Sequence, residues 1–150
     1  MEKKDILELY DSLVMDHSRR PRNFGNLNTK LVSQGMNPSC GDKIILYAII
    51  NNGVIEDVKF NGEGCALCIS SCSLMIQQII GMSLTEAQQY LQSFSNFILY
   101  KTELPSDYAP LHIYENVHKY PLRVKCVLLS WRAMENLLKN NFGTITTEEA

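Results

Sequence analysis

The sequence predicts an α+β fold, an antiparallel three-stranded sheet meander packed by helices. Two patterns carry this prediction: strand-like segments occupy residues 30–60, and the later segments repeat their apolar residues at helical spacing. The chain has 150 residues, of which 45% are hydrophobic. Because that length suits one domain that folds without disulfide staples, we expect a single domain over residues 1–142 and a polar C-terminal tail over residues 143–150.

The first element is a predicted amphipathic helix over residues 4–17. Its apolar side chains, among them Leu9, Leu13 and Val14, recur three and four residues apart. A basic loop over residues 18–25 follows the helix, because Pro21 disfavours a helical residue before it and has no backbone N–H to donate.

Three strands are predicted next. Residues 30–36 are a weak candidate, and residues 43–50 are a strong one because they are dense in β-branched and aromatic residues. A hairpin turn at residues 51–53 contains Asn52 and Gly53, which tolerate the positive φ that such turns need, and residues 54–60 return as the third strand.

The second half of the chain is predicted to be helical. One helix covers residues 66–80 and ends at Gly81, and a capping box of Ser83 and Glu86 starts the next helix. Residues 105–107 then predict a turn, residues 111–117 a short helix, and residues 126–138 a last amphipathic helix.

Charge and hydropathy exclude several classes of protein. The chain has 14 Lys and Arg against 16 Asp and Glu and no long basic run, which argues against a nucleic-acid binder that neutralises phosphates. No segment approaches the roughly 20 apolar residues that cross a bilayer. The first residues lack the apolar core and cleavage site of a secretory signal, so we expect a cytoplasmic protein.

Three of the five cysteines are predicted to lie at the ends of elements. Cys40 lies between the first two strands, Cys65 lies where the last strand passes into a helix, and Cys126 opens the last helix. Thiolates at such positions suit zinc or an iron-sulfur cluster, and Asp42 offers a carboxylate as a fourth ligand. Spacing alone leaves open the alternative that these cysteines are small buried hydrophobic residues.

Several short motifs recur in register along nearly the whole chain. They comprise Leu9, Tyr10, Asp16 and His17; Pro21, Arg22, Asn23 and Gly25; Asn37, Pro38, Cys40, Gly41 and Asp42; Glu56, Asp57, Lys59 and Phe60; Gly62, Gly64 and Cys65; and Arg123, Val124, Lys125, Cys126, Leu129 and Trp131. Together they resemble the U-type iron-sulfur cluster assembly proteins, which include the NifU N-terminal domain, IscU and SufU. The chain is most similar to the SufU branch, because it has an insertion at about residues 95–118 and a lysine, Lys125, where IscU carries a ligand histidine.

The resemblance implies an IscU/NifU-N-like fold and a tetrahedral zinc bound by Cys40, Asp42, Cys65 and Cys126. It also implies that Cys40 is the sulfur acceptor. A pyridoxal-phosphate-dependent cysteine desulfurase of the SufS type would hand over a persulfide sulfur, which would then pass to downstream iron-sulfur assembly proteins. Arg123 resembles an arginine of the family that would steady a thiolate or persulfide or contact the desulfurase; a solvated arginine is the alternative.

Four functions are open at this point. The first is a zinc-dependent sulfurtransferase, and the second is a non-enzymatic scaffold that assembles and transfers a [2Fe-2S] cluster on the same cysteines. Lys125 favours the first, because lysine is a cation at neutral pH and not a metal ligand. A thiol redox protein using Cys65 and Cys68 fits poorly, since such motifs accompany βαβ units. A purely structural zinc module would not explain why Asp42, a labile ligand, stands where a cysteine would bind zinc more tightly.

Two further cysteines depart from the family pattern. Cys68 and Cys72 follow Cys65 on one helical face. They could act as an auxiliary sulfur relay or as extra metal ligands, or Cys68 could form a disulfide with Cys65 under oxidation. We favour the alternative that both are small side chains that pack the helix against the sheet.

The remaining basic residues have two interpretations each. Arg19, Arg20 and Arg22 could dock an acidic partner surface or form a solvated loop. His118 lies near the last cysteine, but a solvated or capping histidine is the better expectation than a ligand.

Overall fold

The computed structural model describes residues 10–139 and the backbone of residues 144–146. In chain order its elements are α1 (Ser12–Arg19), β1 (Leu31–Asn37), β2 (Asp42–Asn51), β3 (Val54–Glu63), α2 (Ala66–Ile79), α3 (Leu84–Tyr100), two 3₁₀ segments (Ser106–Tyr114 and Val117–Lys119), α4 (Pro121–Leu138) and β4 (Thr144–Thr146). Among these described helices, none is both long and apolar enough to cross a membrane.

The sheet has the order β3-β2-β1-β4. Its first three strands form the predicted antiparallel meander, so the predicted fold class is confirmed. The β2-β3 hairpin turns at Asn52 and Gly53, which have φ angles of 53° and 73°. A three-residue strand, β4, pairs in parallel with β1 within the segment predicted as a polar tail. The sheet therefore has one more strand than the sequence predicts.

One face of the sheet carries the helices. Along β2 the fully buried side chains of Ile44, Leu46 and Ala48 alternate with half-buried ones, as a sheet covered on one side requires. Helices α2 and α4 pack against each other and on this face, while α1 packs on α2 and α3 packs on α4. Helix α2 follows the end of β3, and Cys126 near the start of α4 contacts Asn37 at the end of β1, so both helices begin at the same end of the sheet.

Three element boundaries differ from prediction, each for a local reason. Helix α1 begins at Ser12 because the Asp11 side chain accepts hydrogen bonds from two amides of its first turn; residues 4–9 of the predicted helix lie outside the described residues. Helix α4 begins at Pro121 and not at Cys126, because proline suits the first helical position, where its missing N–H costs nothing. The short helix predicted over residues 111–117 is part of two 3₁₀ segments, the first of which begins at Ser106 and includes Pro110.

Candidate metal centre

The β1-β2 hairpin places the first two site residues. Asn37 and Asp42 are paired across the hairpin, so the turn between them consists of residues 38–41 and contains Cys40. The Cys40 backbone N–H donates to the Asn37 carbonyl over 3.2 Å, and Gly41 follows with a φ of 72°. Because a tight turn holds Cys40 at the end of two paired strands, its thiol lies next to the Asp42 carboxylate at one end of the sheet.

The Asp42 carboxylate is buried, with 2% of the residue exposed, and both of its oxygens are held. Oδ1 accepts a hydrogen bond from the Cys65 backbone N–H at 3.0 Å, and Oδ2 accepts one from Asn37 Nδ2 at 3.1 Å. Gly64 makes this approach possible, because a Cβ atom there would lie only 2.7 Å from Asp42 Oδ1. Each oxygen keeps lone-pair capacity for a further partner.

The Cys126 thiol comes to the same place from α4. It is fully buried, it accepts from Asn37 Nδ2 at 3.5 Å and donates to the Leu122 carbonyl at 3.5 Å. The ligand atoms of Cys40, Asp42 and Cys126 all lie within 4.8 Å of one another, and this group could hold a metal ion. A tetrahedral zinc with Zn–S bonds of about 2.3 Å separates its sulfur ligands by about 3.8 Å, so the spacing fits that geometry. The expectation that Cys126 opens its helix is wrong, since Pro121 does.

Cys65 stands beside this group of three. It is the N-cap residue of α2, with extended backbone, and its N–H is the one that binds Asp42. Its thiol forms a hydrogen bond with Cys126, which lowers the pKa of Cys65 to about 6, while the same contact and burial raise the pKa of Cys126. The structure therefore groups the ligand atoms of three of the four predicted residues, and Cys65 adjoins that group through its contact with Cys126.

Arg123 and Tyr10 lie next to the thiols. Arg123 is one turn before Cys126 on α4, and its guanidinium forms a hydrogen bond with the Cys126 sulfur. Burial raises the pKa of Tyr10, and the positive charge of Arg123 acts against that rise, which places the phenol close to the guanidinium. A cation beside the cysteines favours their thiolate form.

The sequence prediction missed three residues of this site. Tyr10, Asn37 and Gly64 all belong to the motifs that resemble the family, yet no role followed from those motifs. The roles of Asn37 and Gly64 come from the strand register and from a close backbone approach to Asp42, which only the folded chain shows.

Cys68 and Cys72 lie under the site rather than in it. Both are fully buried in the core, and burial raises the pKa of each thiol above its ordinary range. The hydroxyl of Ser130 lies against the Cys72 sulfur. Because burial disfavours a thiolate, their setting supports the packing interpretation and argues against a relay or extra ligands.

The three histidines have other neighbours. His17 is buried and its Nδ1 forms a hydrogen bond of 2.7 Å with the Ser73 hydroxyl. His118 Nδ1 donates to the Glu115 carbonyl over 2.8 Å, as expected for a capping histidine, and His112 packs edge-on against an aromatic ring. No histidine belongs to the metal-binding group found in the described residues.

The basic loop is partly neutralised within the chain. Arg20 and Arg22 both form ion pairs with the Asp16 carboxylate, at 3.0 and 2.6 Å. Arg20 is exposed and the other two side chains remain in contact with solvent, so these ion pairs add little to stability. The pairing favours a solvated loop over a docking surface of three arginines.

Comparison with known proteins agrees with the geometry. The family model of the NifU-like N-terminal domain matches residues 9–127. The zinc-dependent sulfurtransferase SufU of Bacillus subtilis is 39% identical over 128 residues, which cover 85% of this chain and 87% of that protein. The iron-sulfur cluster assembly scaffold protein IscU of Streptococcus pyogenes is 34% identical over 142 residues, which cover 94% of this chain and 89% of that protein.

Solved structures share the fold. A crystal structure described as an iron-sulfur cluster assembly scaffold protein for the SUF system, from Fervidobacterium islandicum AW-1, superposes with a TM-score of 0.81 at 36% identity and covers 87% of this chain and 96% of that one. A nitrogen-fixing NifU-like protein (N-terminal) from Brucella abortus superposes with a TM-score of 0.83 at 21% identity, over 91% of this chain and 96% of that chain, and supports the fold alone.

Alkylation of the metal-free protein should distinguish Cys65 from the two buried thiols of the same helix. With iodoacetamide at pH 7, we expect Cys65 to react as a thiolate and the buried Cys68 and Cys72 to be protected by about 100-fold or more until the chain is unfolded. Mass spectrometry of the digested protein measures each rate. Modification of Cys68 or Cys72 in the folded protein at the rate of Cys65 would contradict this assignment.

The Cys126→Ala variant tests the cause of the low pKa of Cys65. It removes the hydrogen bond that lowers the pKa of Cys65, so the pH midpoint of Cys65 alkylation should rise from about 6 towards the ordinary thiol value. An unchanged midpoint would show that Cys126 does not hold the Cys65 thiolate.

Proposed function

The chain belongs to the family of NifU-like N-terminal domains, and on that premise we propose that it is a zinc-bound sulfur acceptor of the SufU type. In this proposal the chain takes sulfur from a pyridoxal-phosphate-dependent cysteine desulfurase and passes it to iron-sulfur cluster assembly. The observation that carries it is the convergence of Cys40, Asp42 and Cys126 within 4.8 Å, with Cys65 against Cys126. We also propose a cytoplasmic location, which suits a chain whose five cysteines are all free.

The donor set fits zinc. Cys40, Cys65 and Cys126 would supply three sulfur atoms and Asp42 one carboxylate oxygen, which are ligand types that tetrahedral zinc accepts. The hydrogen bonds from Asn37 and Cys65 to Asp42 orient that carboxylate before any ion binds. When bound, zinc keeps its cysteine ligands deprotonated at neutral pH and lowers their nucleophilicity.

Cys40 is the sulfur acceptor in this proposal, as the family resemblance implies. Cys40 and Cys65 are both half-buried, and Cys40 lies in a turn, whereas Cys126 is fully buried inside a helix. In the proposed step the Cys40 thiolate attacks the terminal sulfur of the desulfurase persulfide, the S–S bond of that persulfide breaks, and the desulfurase cysteine leaves as a thiolate. Cys40 then carries the new persulfide while Asp42, Cys65 and Cys126 keep their positions.

Arg123 would stabilise negative charge at the candidate metal centre. Its guanidinium already contacts the Cys126 sulfur, so it can compensate the negative charge of thiolates or of a persulfide in the site. Lys125 is half-buried and precedes Cys126, and it adds a second cation at the same end of α4 without offering a metal ligand.

A second candidate function is a scaffold that assembles and transfers a [2Fe-2S] cluster on the same cysteines. The three thiols that lie together support cluster binding as strongly as they support zinc binding, because thiolates are also the usual ligands of such clusters. A lysine at position 125, where a ligand histidine would serve a cluster, weighs against it.

Metal analysis of protein purified from cells without reconstitution should decide between the two. We expect about one zinc per chain and no visible colour, as a closed zinc site predicts. Elemental analysis and a visible spectrum of the same sample are the measurements. A brown protein with bound iron and sulfide would favour the scaffold and overturn the acceptor.

Substitution of the carboxylate ligand should separate metal retention from sulfur transfer. In Asp42→Ala we expect zinc to be retained by the three thiolates or held more tightly, while stimulation of a cysteine desulfurase falls by about tenfold or more, because the labile oxygen ligand is lost. Asp57→Ala, which removes a carboxylate of β3, is the control and should behave as the unmodified chain. Unchanged stimulation by Asp42→Ala would refute the role given to Asp42.

A further inference from the structure

A groove of about 300 Å³ lies between the C-terminal end of α3 and the first three turns of α4. We call it the α3-α4 groove, and its lining consists of Ile98, Leu99, His118, Pro121, Val124, Lys125, Leu128 and Arg132. Five of these side chains are apolar. One wall belongs to the segment at about residues 95–118 that the sequence identifies as an insertion.

Exposed apolar side chains lie in this groove and next to its lining residues in the sequence. Among the large hydrophobic residues that are exposed in the described part of the chain, Leu99 is 40% exposed, Tyr100 71% and Leu122 59%. Leu99 lines the groove, and Tyr100 and Leu122 each follow a lining residue in the sequence. Three of the five exposed large apolar side chains in that part of the chain therefore line the groove or directly follow a residue that lines it, which is typical of an interaction surface.

The charge of the groove is one-sided. Lys125 and Arg132 contribute cationic side chains and His118 an imidazole, and none of the described residues that line the groove is acidic. Glu135, one turn beyond Arg132 on α4, faces that arginine but does not line the groove. A bound segment that carries carboxylates would complement the positive charge of Lys125 and Arg132.

We propose that the α3-α4 groove binds an acidic amphipathic segment of a partner protein. The apolar side chains of that segment enter between Leu99, Val124 and Leu128, and its carboxylates lie against Lys125 and Arg132. The volume is at the small end of ligand pockets, which span about 300–1,000 Å³, so the groove takes a few side chains of a peptide and not a folded domain.

The α3-α4 groove lies next to the candidate metal centre, because α4 contributes residues to both. Lys125 lines the groove and is followed by Cys126, whose sulfur contacts the carbonyl of the exposed Leu122. A segment held in the groove therefore lies one helix face away from the candidate metal centre. The proposal does not depend on which metal or reaction that centre serves.

The test uses a displayed library of random twelve-residue peptides, selected on the full chain as purified. Enriched peptides should combine several Asp or Glu with Leu, Phe or Met, and fluorescein-labelled copies give affinities by fluorescence anisotropy. Leu99→Glu should weaken binding by about tenfold or more, because it places a charge in the apolar wall. Val54→Glu is the matched control, since Val54 is 38% exposed and lies outside the groove, and it should change affinity by less than about twofold.

Charge reversal is the second arm. In the double variant Lys125→Glu, Arg132→Glu, acidic peptides should lose about tenfold or more in affinity, and copies with Lys in place of Glu should gain. Enriched peptides without acidic residues, or equal weakening by Val54→Glu and Leu99→Glu, would overturn the proposal. So would a dimer of this chain that Leu99→Glu converts to a monomer, because a second copy would then be the occupant.

Discussion

The buried carboxylate of Asp42 is the constraint that brings separate parts of the chain together before any metal ion binds. It joins three separate parts of the chain: the end of β1 through Asn37, the start of α2 through the Cys65 N–H, and its own strand. Hydrogen bonds to a charged group contribute about 1.5–3 kcal/mol each, so the bonds from Asn37 and Cys65 hold this almost fully buried carboxylate in a fixed orientation. That orientation places an oxygen ligand beside the thiols of Cys40 and Cys126, and in this way the fold prepares a site for a metal ion.

Burial then assigns different chemistry to cysteines that look alike in the sequence. Cys65 and Cys68 are three residues apart, yet a hydrogen bond from Cys126 lowers the pKa of the first to about 6 and burial raises the pKa of the second. Cys72 is deeper still, against Ser130 and the core. Cys40, Cys65 and Cys126 lie together at the end of the sheet, whereas Cys68 and Cys72 are buried in the core as small apolar side chains.

Much of this could be predicted from the sequence because its signals are local. The hairpin turn at Asn52 and Gly53, the capping box at Ser83 and the amphipathic periodicity each depend on a few neighbouring residues. The start of α4 was misplaced because apolar periodicity marks the buried face of a helix and not its first turn, which Pro121 begins. Strand β4 was missed because a three-residue strand exists only through its pairing with β1.

The ligand set itself was predicted from resemblance, while the residues that support it depend on contacts between distant segments. Asn37 reaches Cys126 across 89 positions of sequence, and no pattern within either segment indicates that contact. The same holds for the α3-α4 groove, whose walls come from separate helices. The periodicity and the motifs of a single sequence indicate local structure and not which distant segments pack together, so these contacts could not be predicted.

The most direct test of the central claim, that three cysteines and one buried carboxylate form a single zinc site, is X-ray absorption at the zinc edge on the full chain. The account predicts three sulfur atoms at about 2.3 Å and one oxygen at about 2.0 Å. It also predicts that the oxygen contribution changes in Asp42→Ala while the three sulfur atoms remain. Four sulfur neighbours, or fewer than three, would contradict it.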